Sequence, residues 1–163
     1  MKFVTEKAKI VESLQNAAAI AERRQTIPIL ANLRLKIIDE RLEVTATDLE
    51  IQIKTFSDLL EIKEEGETTV SARKMSELCR SLPDNENVEF SLDNGKLSVS
   101  SKNFNADFAT ISSDDFPEIE INEEQRPISI DSAKFKRLLS KTSFSMASPV
   151  SYTHLRAHET DSY

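Results

Sequence analysis

Val88-Glu89-Phe90-Ser91-Leu92-Asp93-Asn94-Gly95-Lys96-Leu97-Ser98-Val99-Ser100-Ser101 is the stretch on which the fold turns. Val88, Phe90 and Leu92 fall on alternate positions before Asp93-Asn94-Gly95, and Leu97 and Val99 do so after it, the spacing of strands with one buried face. Both central positions of a type I′ turn need positive φ, so Asn94-Gly95 reads as the tip of an antiparallel hairpin between strands over residues 88–92 and 96–101. A third alternating run covers 104–111. Upstream, residues 68–71 read as a strand and 72–82 as a short helix stopped by Pro83. The order is β-α-β-β-β.

The same order occupies the first 56 residues. Residues 1–5 read as a strand, and Ile10, Val11, Leu14, Ala17, Ala18 and Ala21 recur at helical spacing over 6–22. Strands then follow over 27–38, 42–47 and 51–56, with Asp39-Glu40-Arg41 short enough only for a hairpin turn. A repeated β-α-β-β-β unit implies an α+β, pseudo-symmetric domain over residues 1–120, with two helices side by side on one face of curved antiparallel sheet. Asp114, Asp115, Glu118, Glu120, Glu123 and Glu124 surround Pro117 in an acidic run whose last part, 121–126, reads as a linker. Residues 127–130 read as a further strand and 132–147 as a helix with Phe135, Leu138, Leu139 and Thr142 on its apolar side. A shift of 125 residues lays Ile128 on Phe3, Phe135 on Ile10 and Leu139 on Leu14, so 127–148 reads as the start of a second, similar domain.

The chain has 163 residues, of which 39% are hydrophobic and 30% charged, with only 2 Gly and 5 Pro, a balance that excludes collagen-like and disordered classes. No run approaches the roughly 18 apolar residues of a membrane helix, and the N-terminus lacks an apolar signal region. A soluble cytoplasmic protein without membrane contact is the expectation. The single cysteine, Cys79, lies in an apolar helical pattern and reads as a core thiol.

Charge is segregated. Lys2, Lys7, Lys9, Arg23 and Arg24 against three glutamates leave residues 1–26 at +2; Arg73, Lys74 and Arg80 against Glu77 leave 71–82 at +2; Lys134, Lys136, Arg137 and Lys141 leave 132–147 at +4. With the whole chain at −7, everything outside these segments sums to −15. An acidic protein meets a phosphate backbone only through a cationic surface, and the helices supply one. No aromatic residues are interleaved with these bases, so contact would be independent of sequence. The plainer reading is that these cations solvate the outer faces of amphipathic helices.

Met1-Lys2-Phe3, Arg24-Gln25-Thr26-Ile27-Pro28-Ile29-Leu30-Ala31-Asn32 and Thr45-Ala46-Thr47-Asp48-Leu49-Glu50 are followed by four more motifs. These are Thr69-Val70-Ser71-Ala72-Arg73-Lys74, Cys79-Arg80-Ser81-Leu82-Pro83, Asp114-Asp115-Phe116-Pro117 and Phe144-Ser145-Met146-Ala147. In this order and at these intervals, residues 1–148 resemble the opening of the bacterial DNA polymerase III beta subunit, the replication sliding clamp. The resemblance implies a ring of two head-to-tail protomers, each with three similar domains, closed around duplex DNA with helices lining the hole. Such a subunit is non-catalytic and gives the polymerase processivity by topological tethering. Arg24, Arg73 and Arg80 match positions that present positive charge to DNA; Lys74 is adjacent, and Lys7 and Lys9 are added from charge alone. Weak phosphate contacts suit a ring that slides.

The strand over 104–111 matches the edge by which the first domain of one protomer pairs with the third domain of the other. Phe104, Ala106 and Phe108 alternate with Asn105 and Asp107, so one apolar side is available to that interface or to the domain's own core. The partners implied are duplex DNA and a second protomer, with polymerase and clamp loader engaging only the intact protein. Past Ala147 the likeness stops. Residues 149–163 look similar to a translated sequencing adapter, and a truncated chain with a marginally stable 127–148 segment is the expectation. His154 and His158 stand at i, i+4 in that tail without a third ligand, and Asp48 and Glu50 have no accompanying nucleophile, so neither a metal, a cofactor nor a catalytic residue is expected. The alternative function is an acidic protein-interaction domain with no role on DNA.

Overall fold

The computed structural model of the chain describes residues 1–21, 27–84, 86–119 and 129–145. β1 (Lys2–Glu6) runs straight into α1 (Lys7–Ala18), and after a 3-10 turn at Pro28–Ala31 the chain forms β2 (Asn32–Ile38), β3 (Arg41–Thr47), β4 (Gln52–Asp58) and β5 (Glu61–Glu64). β6 (Glu67–Ser71) opens the second pass, followed by α2 (Ala72–Ser81), β7 (Asn87–Asp93), β8 (Lys96–Ser101) and β9 (Phe104–Ala109). Two expectations change. Pro28 breaks the run over 27–38, because a residue with fixed φ and no N–H starts a tight helical turn more readily than a ladder, so β2 begins at Asn32. β5 is an additional strand with one half-buried apolar residue, Ile62, and exposed charges around it.

The strands form two antiparallel sheets, ordered β5-β1-β7-β8-β9 and β4-β3-β2-β6. Each repeat has handed its first strand to the other. β1 pairs with β7, setting Phe3 opposite Phe90 with the rings stacked at 4.8 Å, while β6 pairs with β2. The outer flank of β1 carries β5, and the corresponding flank of β6 carries the single bridge Thr69–Ile111. Both two-residue tips have the backbone that a type I′ turn demands: φ is 48° and 72° at Asn94 and Gly95, and 48° and 59° at Asp39 and Glu40.

α1 and α2 pack against each other and against these sheets, α1 on β3 and β4, α2 on β2 and β6. Ile10, Leu14 and Ala17 of α1 meet Met75 and Cys79 of α2 in one core with Leu33, Leu35, Val44, Phe90 and Val99. Burial pushes the Cys79 thiol up to about 12, which leaves it a packing group.

The opposite face of the β4-β3-β2-β6 sheet is fastened to the strap that follows β9. Phe116 is buried with Ile29 and Leu30, under the guanidinium of Arg34 at 5.5 Å from its ring. Arg34, itself buried, pairs with Glu43 at 3.3 Å and with Glu118. The Ile119 amide donates to Gln52 Oε1 at 3.0 Å.

Contacts divide the chain into two units, Met1–Ile121 and Asn122–Tyr163. The second contains α3 (Ser132–Thr142), capped by Asp131, whose Oδ1 accepts from the Lys134 amide at 2.9 Å, and a 3-10 turn at Ser143–Ser145. Residues 129–130 are not in a strand, and Pro127, Ile128, Met146, Ala147, the 121–126 linker and the whole 149–163 tail with His154 and His158 lie outside the described residues. Among the described residues no helix is long and apolar enough to cross a membrane, and no group of three metal-binding side chains is present.

Candidate nucleic-acid interface

α2 is sorted into two faces. Ala72, Met75, Ser76 and Cys79 point inward, while Arg73, Lys74, Glu77 and Arg80 are exposed. This follows from the 3.6-residue period of its sequence, which places 73, 77 and 80 on one side, one turn apart. Arg73 donates from Nε to Glu77 at 2.9 Å, and that hydrogen bond, then the charge of Glu77, holds its guanidinium above the usual arginine value. Lys74 and Arg80 have no carboxylate partner among the described residues. The exposed face of α2 therefore keeps net positive charge.

On α1 the two lysines separate. Lys9 is exposed, with Asp58 3.9 Å away, and remains available. Lys7 is buried: its ammonium donates to the Leu82 carbonyl at the end of α2 and to Asp84 Oδ1 at 2.9 Å. A cation against the last carbonyls of a helix satisfies acceptors that the helix leaves open. Lys7 thus serves the α1–α2 junction, and its expected contact with DNA gives way to that structural part. Arg24 lies outside the described residues. In the second unit Lys134, Lys136, Arg137 and Lys141 are all exposed on α3.

The expected interface strand is β9, one edge of its sheet. Phe108 is buried, and Phe104 and Ala106 are half-buried against the domain's own core. The edge therefore presents main-chain groups and the opposite row, where Asp107 accepts from Ser98 Oγ at 2.6 Å. Asp48 shapes the β3–β4 turn. The Ile51 amide at 2.7 Å and then the Glu50 amide hold its carboxyl below the usual range.

Sequence reading did not pick out the groove between α1 and α2. It has a volume of about 390 Å³, with Arg73, Ser76 and Arg80 on one wall and Gln15 and Ala18 on the other. The signal was Ser76, a hydroxyl at a core-facing position of an amphipathic helix.

The sequence model of the DNA polymerase III beta subunit N-terminal domain matches residues 1–120. The chain belongs to the DNA polymerase III beta subunit family. It is 35% identical over 147 residues to the beta sliding clamp of Pseudomonas putida, covering 90% of this chain and 40% of that protein. A beta sliding clamp sequence from Vibrio harveyi is 36% identical over 145 residues, which is 89% of this chain and 100% of that sequence. The crystal structure of the beta subunit of Pseudomonas aeruginosa superposes with a TM-score of 0.86 at 33% identity, over 91% of this chain and 40% of that one. Against the P. putida and P. aeruginosa beta subunits, the chain spans about 40% of their length.

Proposed function

We propose that the chain is the leading part of a replication sliding clamp protomer, a non-catalytic, cytoplasmic processivity factor that encircles duplex DNA with a second protomer. The observation that carries this reading is the exposed cationic face of α2 on a chain whose net charge is −7. Arg73, Lys74 and Arg80, with Lys9 on the neighbouring helix and Arg24 by family position, contact phosphates without reading bases. Flexible side chains on a helix exchange one phosphate for the next without a fixed register, which is what sliding needs. Lys7 is not in this set. β9 is the edge offered to the second protomer, through its main chain, since Phe104, Ala106 and Phe108 serve the core. Polymerase and clamp loader engage the assembled ring.

The test is the salt dependence of the full chain's affinity for a labelled duplex. Of the five contacts, Arg73, Lys74 and Arg80 account for about −2.7 of the slope of log affinity on log salt. The combined substitution Arg73→Ala, Lys74→Ala and Arg80→Ala is expected to flatten it. An unchanged slope overturns the assignment of these residues.

A further inference from the structure

The α1–α2 groove does more than carry charge on its rim. Its α1 wall is lined by methyl groups such as Ala18, so there is room between the helices, about 390 Å³. Its α2 wall places Ser76 one turn from Arg73 and one turn from Arg80, at i+3 and i−4. Arg80 has no carboxylate partner among the described residues, and Arg73 commits its Nε to Glu77, leaving its other guanidinium donors. Two cations and one carboxylate leave the groove at about +1, which matches a single phosphodiester better than a free, doubly charged phosphate.

Ser76 supplies the second, independent observation. The residue is 7% exposed, and its hydroxyl is buried with no hydrogen-bond partner. A serine inside a helix ordinarily donates to the carbonyl four residues back or turns to solvent, as Ser140 does to Lys136. Ser76 does neither. An enclosed hydroxyl without a partner costs stability, and the residue that carries it lines the groove.

We propose that this groove seats one backbone phosphodiester of duplex DNA, with Arg80 as the ion-pair partner and the Ser76 hydroxyl and Gln15 amide as neutral donors. The proposal rests on the clamp reading and adds to it a defined seat. The diffuse contacts of sliding then alternate with a preferred resting position for one phosphate.

Neutral and charged substitutions separate the two ideas. In the full chain, Ser76→Ala and Gln15→Leu are each expected to weaken duplex binding about fivefold, the worth of one neutral hydrogen bond, while leaving the salt slope unchanged. Arg80→Ala is expected to reduce that slope by about 0.9. Ser76→Ala is also expected to melt at the same or a higher temperature, because it removes a buried hydroxyl that the free protein leaves unpaired. Weaker binding by a variant that is no less stable is a signature a purely structural serine does not produce. If Arg80→Ala changes the slope while Ser76→Ala and Gln15→Leu bind as the parent does, the seat is overturned and the clamp reading stands. If the parent shows no salt-dependent duplex binding, the clamp reading falls and the seat for DNA with it. Titration with inorganic phosphate and with a nucleoside monophosphate, followed by amide shifts at residues 73–80, identifies the source. Saturation by either at concentrations where the duplex does not compete overturns the assignment to backbone phosphate.

Discussion

Lys7 and Lys74 look alike in the sequence, two lysines on amphipathic helices, yet one is internal and the other faces solvent. What separates them is a carbonyl 75 residues away from Lys7, and periodicity carries no information about a partner at that distance. Lys7→Met is expected to destabilise the first unit by about 1–3 kcal/mol, because the Leu82 carbonyl loses its donor. Urea unfolding followed by circular dichroism checks this, and duplex affinity of the folded variant is expected to stay at the parent level. Leu49 is a second residue whose cost is local. It holds φ at +77° while its side chain is half exposed, a backbone that a branched L-residue adopts only under strain. Leu49→Asn is expected to raise stability by about 0.5–1 kcal/mol in the same measurement, since asparagine tolerates this region. The motif around Leu49 was legible as a family mark; its strain was visible only in the backbone.

Among the elements, the strap after β9 shows how an acidic run becomes structure. Its glutamates and aspartates belong to an acidic run that composition marks only as charge, but Phe116 is seated on Ile29 and Leu30, and Glu118 meets Arg34 and Lys54. The hydrogen bond from Arg34, then its charge, holds the Glu118 carboxyl below the ordinary carboxylate value. A group whose folded value is depressed contributes above its unfolded value and loses that contribution as pH falls through the folded one. Amide protection around Ile119 is therefore expected to persist at neutral pH and to fade below pH 4.5. In Glu118→Gln the charge-dependent part of that fading is expected to be absent. Phe116→Ala is expected to cost about 3 kcal/mol and to release the strap, read as faster exchange at residues 113–119. The hairpins of β2–β3 and β7–β8 were legible because turn chemistry and alternation agree there. β5 was not, because Glu61-Ile62-Lys63-Glu64 offers one apolar side chain and its strand character comes from β1 beside it.

At the scale of the whole molecule, the two units differ in what they bury. α3 has no buried side chain, and Phe135, Leu138 and Leu139 are each about half exposed, whereas the first unit buries an extended apolar core between its sheets and helices. Hydrogen exchange is expected to show α3 amides exchanging orders of magnitude faster than those of β1, β7 and β8; comparable protection would refute that contrast. The repeat of β-α-β-β-β was readable from spacing, but spacing cannot say which sheet a strand joins, and here the leading strands are exchanged. β1 leaves the ribosome well before its neighbour: the Leu92 amide that donates to the Met1 carbonyl at 2.8 Å belongs to β7. At about 5–20 residues per second, translation keeps β1 waiting several seconds or more for that neighbour. The two halves are laced rather than stacked, so a protease nick between β5 and β6 would leave pieces that each hold a strand of the other's sheet and stay clasped without a covalent tie.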